Sequence, residues 1–212
     1  MQSPKSKIPS QLRAGIAAIL LATGGGYTAY DYLQKDAAKV LQNEYIATAA
    51  SDVSTSEAVK VAMVMGAYYE SSYKHVGEPY VDKLGRGQPL TVCNGVTGRE
   101  VVVGRYYTPA DCYGLEKARY LASEQYLKSK LPHWQSYTVF QQATFIDFTW
   151  NKGQHAFDSS TMRRRLETGD VVGACRENLK WTKGTVNGVL TVLPGLKNRA
   201  DANEELCERG LS

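Results

Sequence analysis

The sequence predicts an α+β protein, mostly helical, with one small β-hairpin region and a hydrophobic helix at its N-terminus. Three observations predict it. Apolar residues recur at helical spacing through most of residues 31–73 and 108–209. Residues 77–98 instead carry turn formers, from Gly77 and Pro79 to Gly95 and Gly98, around short apolar alternations. Ahead of both lies an unbroken run of 17 uncharged residues, Ala14 to Tyr30.

That first run follows Lys5, Lys7 and Arg13, and a positive flank before an apolar segment is the mark of export. The segment is at the short limit for a bilayer span, and its four Gly, five Ala and two Thr make it weakly hydrophobic. It reads as a cleaved signal peptide, a stable anchor, or a segment that inserts and later leaves the membrane. Ile16, Ile19, Leu20 and Leu21 have no polar face opposite them, which argues against a soluble amphipathic helix.

Asp31 to Ala50 alternates charge with Leu33, Val40, Leu41, Tyr45 and Ile46 at helical spacing. Ser51 to Ser56 interrupts it, and Ser54-Thr55-Ser56-Glu57 predicts a capping box for a new helix. Ala58, Ala62, Met65 and Tyr69 carry that helix to its end near Ser71–Tyr73. The hairpin region follows. Thr108-Pro109-Ala110-Asp111 then combines an N-cap, a proline at the first helical position and an acid in the first turn. Its helix runs to about Lys130, before Pro132. Further helices read over Thr138–Asn151, Ser160–Glu167, Asp170–Trp181 and Leu196–Arg209, punctuated by Gly153, Gly169 and Gly184.

Composition narrows the function. Hydrophobic content of 43% and charged content of 22% exclude wholesale disorder. A net charge of +4 is too weak to argue for nucleic acid, and no RNP, zinc-finger or P-loop pattern is present. His75, His133 and His155 share no ligand spacing, so neither a metal nor another cofactor is expected. Cys93, Cys112, Cys175 and Cys207 form no CxxC pair. Two disulfides in an oxidising compartment suit them. Of the three connectivities, Cys93–Cys112 and Cys175–Cys207 join the nearer pairs; four reduced core thiols are the alternative.

The acids beside the hairpin region carry the chemistry. Glycosidic bonds are cleaved between two carboxyl groups, one protonating the leaving oxygen and one working from the opposite face. Glu70 ends an apolar helix behind Tyr68 and Tyr69, where desolvation would keep it protonated. Asp82 follows among turn residues that would leave it polar and ionised. Glu78 is the rival acid, but it falls in the loop itself, where an acid is poorly held.

These residues resemble the phage lysozymes (endolysins) of glycoside hydrolase family 24. The resembling pieces are Glu70, then Pro79-Tyr80-Val81-Asp82, then Thr91-Val92-Cys93-Asn94-Gly95-Val96-Thr97-Gly98. Gly104 to Cys112, Phe148 to Gly153, Phe157 to Thr161, Gly173 to Cys175 and Leu193 to Cys207 continue it in the family's order. The resemblance implies a lysozyme-like fold over residues 58–212, behind an anchor segment (1–30) and a helical connector (31–57). It implies Glu70 as general acid, Asp82 orienting or activating the attacking water and Thr91 helping to hold that water. It further implies that Asn151 contacts saccharide and that Arg199 pairs with the catalytic glutamate. The spacing departs from the family's: eleven residues separate Glu70 from Asp82 and eight separate Asp82 from Thr91, three more in each case.

The expected function is a phage muramidase that cleaves peptidoglycan for host lysis. It would be tethered to the inner membrane by its N-terminal segment, released into the periplasm and monomeric thereafter. A lytic transglycosylase, which needs no water-activating aspartate, and an inactive lysozyme-like wall-binding module are the alternatives. Tyr73, Tyr80, Tyr106 and Tyr107 are candidate sugar platforms among 14 tyrosines.

Overall fold

The apolar N-terminal run forms helix α1 (Ser10–Ala22), and its faces are buried nearly all round: Ile16 and Ile19 are fully buried and Leu12 and Leu20 almost so. The computed structural model describes residues 6–23, 43–82, 87–186 and 188–211. Residues 1–5 and 24–30 of the expected anchor segment, 31–42 of the expected connector helix and 83–86 of the hairpin region lie outside them. The chain divides into two units, one of residues 14–122 and one of residues 1–13 with 123–212.

In the 14–122 unit, helix α2 (Glu44–Ser51) is capped by Asn43, whose side chain accepts from the Tyr45 and Ile46 N–H groups. Helix α3 (Glu57–Ser71) is buried at every position from Ala58 to Ala67, as suits a helix that is apolar on all sides. Its cap is Ser56, which accepts from the Val59 N–H, and not the expected Ser54. Asp52 draws Ser54 away, its Oδ1 accepting from both the Ser54 N–H and hydroxyl at 2.8 and 2.7 Å. Helix α1 packs on α3 so closely that a Cβ on Gly15 would meet Val64 Cγ1 at 2.8 Å.

Strands β1 (Tyr80–Val81), β2 (Leu90–Val92) and β3 (Val96–Thr97) form the antiparallel sheet expected over 77–98. Tyr80 lies opposite Thr91, and Thr91 opposite Thr97. Val92, Cys93, Val96, Val101, Tyr107 and Cys112 form the apolar cluster behind it. The Cys93–Cys112 disulfide crosses that cluster. Helix α4 (Pro109–Lys130) starts where the sequence predicts: the Asp111 N–H donates to the Thr108 hydroxyl and the Thr108 N–H to the Asp111 carboxylate.

The other unit holds α5 (Val139–Lys152), α6 (Gln154–Ser159), α7 (Thr161–Glu167), α8 (Val171–Arg176) and α9 (Pro194–Arg209). The expected helix at 170–181 passes into a 3₁₀ turn at Glu177–Lys180. Thr138 and Gln141 cap α5 reciprocally. Cys175–Cys207 is the second disulfide, so both nearer pairings form. The chain start docks on α9, with the Ser6 hydroxyl and the Lys7 N–H donating to Glu205 at 2.5 and 2.6 Å.

A second sheet corrects the expectation of one. Strands β4 (Lys183–Val186) and β5 (Val189–Val192) pair antiparallel, with Gly188 at φ 79° just before β5. Asn-Gly between β-branched runs is a strong hairpin signal, because both residues tolerate the positive φ of a tight turn. Among the described residues, no helix is long and apolar enough to cross a membrane.

Candidate active site

Glu70 stands in the last turn of α3. The helix ends because Ser72 and Tyr73 take left-handed backbone at φ 52° and 62°, and their N–H groups close onto the carbonyls of Tyr68 and Ala67. The Glu70 side chain is exposed, contrary to the expected desolvation. The reason is local: Tyr68 packs edge-to-face on Tyr69 and on Tyr73, at 5.1 and 5.4 Å between centroids, so the rings cover one another and not the acid.

Asp82 follows β1 and is half-buried. Its N–H donates to the Pro89 carbonyl at 3.0 Å, and the Thr91 hydroxyl donates to the same oxygen at 3.1 Å. Thr91 is buried, and its hydroxyl oxygen keeps lone pairs able to accept from a water. Tyr80 lies directly across from Thr91. Its phenol is pushed up by burial first, then by the negative charges of Asp82 and Glu70. The sheet register sets Asp82 two residues beyond Tyr80, just past the strand paired with that of Thr91. Glu78 is exposed in a bend between Gly77 and Pro79.

A third carboxyl group, Glu116 on α4, was not singled out by sequence reasoning. It is buried, with Oε2 accepting from the Tyr45 hydroxyl at 2.5 Å and Oε1 from the Asn94 N–H at 3.0 Å and Nδ2 at 3.1 Å. Burial pushes its carboxyl up, the Tyr45 and Asn94 hydrogen bonds act against that, and the Glu70 charge adds to the rise. Its helical neighbours Tyr113 and Tyr120 mark the buried side of α4 and were the available signal.

Asn151 and Arg199 belong to the other unit, where they line one small pocket together with Asp147, Trp181 and Asn203. Asn151 sits two residues before Gly153, which ends α5 at φ 88°. Arg199 is buried and gives Nε and Nη2 to the Asp147 carboxylate at 3.0 and 2.6 Å. The Asn203 amide donates to the same carboxylate at 2.8 Å. The Trp150 ring centroid is 5.4 Å from the guanidinium. Asp147 was the unread partner here: an acid among Phe145, Ile146 and Phe148 has to be paired if the helix face is buried.

Of the tyrosine platforms, Tyr107 is buried, its hydroxyl donating to the Glu100 carbonyl, while Tyr80 and Tyr106 are exposed.

Residues 74–203 match the family described as phage lysozyme. The chain is 30% identical over 133 residues to the SAR-endolysin of Enterobacteria phage PA-2, spanning 61% of this chain and 73% of that relative. It is 33% identical over 109 residues to the SAR-endolysin of Bacteriophage PS119, spanning 50% of this chain and 60% of the relative. The active form of the P1 phage endolysin Lyz shares the fold, with a TM-score of 0.62 at 18% identity over 82% of this chain and 94% of that one. With the family match covering more than half its length and the lysozyme-like architecture around it, the chain belongs to the phage lysozyme family.

Proposed function

We propose that this member of the phage lysozyme family is an endolysin. It is a muramidase that hydrolyses the N-acetylmuramic acid–N-acetylglucosamine β-1,4 bond of peptidoglycan during host lysis. Glu70 protonates the glycosidic oxygen as the bond breaks. Asp82 orients or activates the water that attacks the sugar, and Thr91 holds that water through its hydroxyl. Asn151 and Arg199 are assigned to saccharide binding on the family resemblance alone. The observation that carries this reading is the match of residues 74–203 to the phage lysozyme family, with Glu70 ending α3 just before the sheet in which Tyr80, two residues before Asp82, pairs with Thr91.

The N-terminal segment tethers the enzyme to the host inner membrane, and release brings it to the periplasm, where it works as a monomer. Residues 31–57 couple the two states: tethering holds the Glu70 helix or its neighbours away from working geometry. The burial of α1 supports this, because residues 14–20 cannot occupy a bilayer and the protein core at once.

Turbidity loss on outer-membrane-permeabilised cells tests the assignment. Glu70→Gln and Asp82→Asn lose activity by about 100-fold or more, while Glu78→Gln retains it. Loss of activity in Glu78→Gln alone overturns the choice of acid. Mass analysis of the products finds hydrolysed reducing ends; 1,6-anhydro ends would instead make the enzyme a transglycosylase. A purified membrane-tethered form as active as the released one would refute the coupling.

A further inference from the structure

The two halves of the proposed acid–water pair are carried by different elements. Glu70 stands on the end of α3, and Thr91 on a strand that leads into the β2–β3 turn. Two polar side chains from the start of α2 reach the flanks of both. The Asn43 Nδ2 donates to the Tyr73 carbonyl at 2.9 Å, three residues beyond Glu70, within the left-handed turn that ends α3. The same Asn43 accepts from the Tyr45 and Ile46 N–H groups with its Oδ1, so one amide locks the start of α2 to the end of α3. The Tyr45 hydroxyl meets Glu116, and the other oxygen of Glu116 holds both nitrogens of Asn94, three residues beyond Thr91.

We propose that Asn43 and Tyr45, with Glu116 as the shared anchor, are positioning residues that set the separation between Glu70 and the Asp82–Thr91 strand pair. The inference rests on the acid and water-holding roles proposed above and names what holds them in place.

Three features favour this role over general stabilisation. First, a buried carboxylate is a costly way to stabilise a core, since apolar residues of similar volume do as well or better. What it supplies instead is direction, because its oxygens hold donors from two other elements at fixed angles. Second, packing alone does not define this junction. A cavity of about 270 Å³ opens there, lined by Asn43, Tyr45, Tyr73, Asn94 and the Cys93–Cys112 pair, so hydrogen bonds set the distances across it. Third, both ends of the clamp fall three residues past the groups they serve, at Tyr73 after Glu70 and at Asn94 after Thr91.

Steady-state rates on solubilised peptidoglycan fragments, measured with the full-length released protein, test the clamp. Asn43→Ala and Tyr45→Phe lower kcat by about 10- to 100-fold with KM within about twofold, because displacement of a reacting group by an ångström costs rate more than binding. Circular dichroism shows both variants folded at the assay temperature. Glu116→Gln, which still accepts from Asn94 and pairs with the Tyr45 hydroxyl, keeps most of kcat, and Glu116→Leu does not. Adding Tyr45→Phe to Glu116→Leu causes no further loss.

Wild-type kcat in Tyr45→Phe and Asn43→Ala overturns the proposal. So does a loss that only follows the folded fraction, or failure of Glu116→Gln to rescue. Glu70→Gln, run in parallel, separates the two readings. An active Glu70→Gln beside a slow Tyr45→Phe overturns the acid assignment alone. An inactive Glu70→Gln beside a Tyr45→Phe of wild-type rate overturns the clamp alone.

Discussion

Arg199 lies side-on to Asp147, with Nε 3.0 Å from one carboxylate oxygen and Nη2 2.6 Å from the other, both side chains buried. A bidentate pair out of water is strong only while both partners are present, since either one alone is an unmatched buried charge. Asp147→Leu is expected to lower unfolding stability by about 3–5 kcal/mol in urea titrations at neutral pH. The double variant Asp147→Leu/Arg199→Met recovers most of that loss. If the double variant is as unstable as the single, the pair is not the source of the effect.

Asp52 makes the stability depend on pH. Burial acts to raise its carboxyl, but hydrogen bonds from Lys117, Ser54, Thr55 and Tyr113 outweigh it and hold the group well below the usual carboxylate range. A depressed folded pKa stabilises the protein above the unfolded value, near 3.9, and that contribution disappears as pH falls below it. Asp52→Asn should therefore be less stable than wild type by about 1–2 kcal/mol at pH 7. The difference shrinks progressively below about pH 4. Thermal unfolding from pH 7 to pH 2 checks it, and two parallel curves would refute it.

Gly15 lets α1 seat against α3. A Cβ there would lie 2.6 Å from the Tyr73 hydroxyl and 2.8 Å from Val64 Cγ1, and neither a ring nor a β-branched side chain gives way easily. Gly15→Ala should destabilise by about 1–3 kcal/mol, although alanine is the better helix former by about 1 kcal/mol. The Tyr73 hydroxyl is buried without a hydrogen-bond partner among the described residues. Tyr73→Phe should therefore cost nothing, and it should recover part of the Gly15→Ala loss. Differential scanning calorimetry of the two single variants and the double checks this. An unchanged Tm in Gly15→Ala would mean that α1 is not tightly seated.

What the sequence legislates here is local. The helix starts at Thr108, Thr138 and Ser160 follow from side chains that bond their own backbone within three residues. The nearer cysteine pairs follow from short closures. The proposal of Glu70, Asp82 and Thr91 as the reacting groups rests on residues of those types standing in an order similar to the family's. The tertiary structure decided what depends on neighbours remote in the chain. Exposure of Glu70 turns on which rings Tyr68 stacks against, and the cap at Ser56 turns on where Asp52 directs its carboxylate. Glu116 and Asp147 look like ordinary helical acids until Tyr45, 71 residues away, and Arg199, 52 residues away, supply the partners that make their burial tolerable. Burial of a charge is a property of the assembled core, so no window of sequence around the acid contains it.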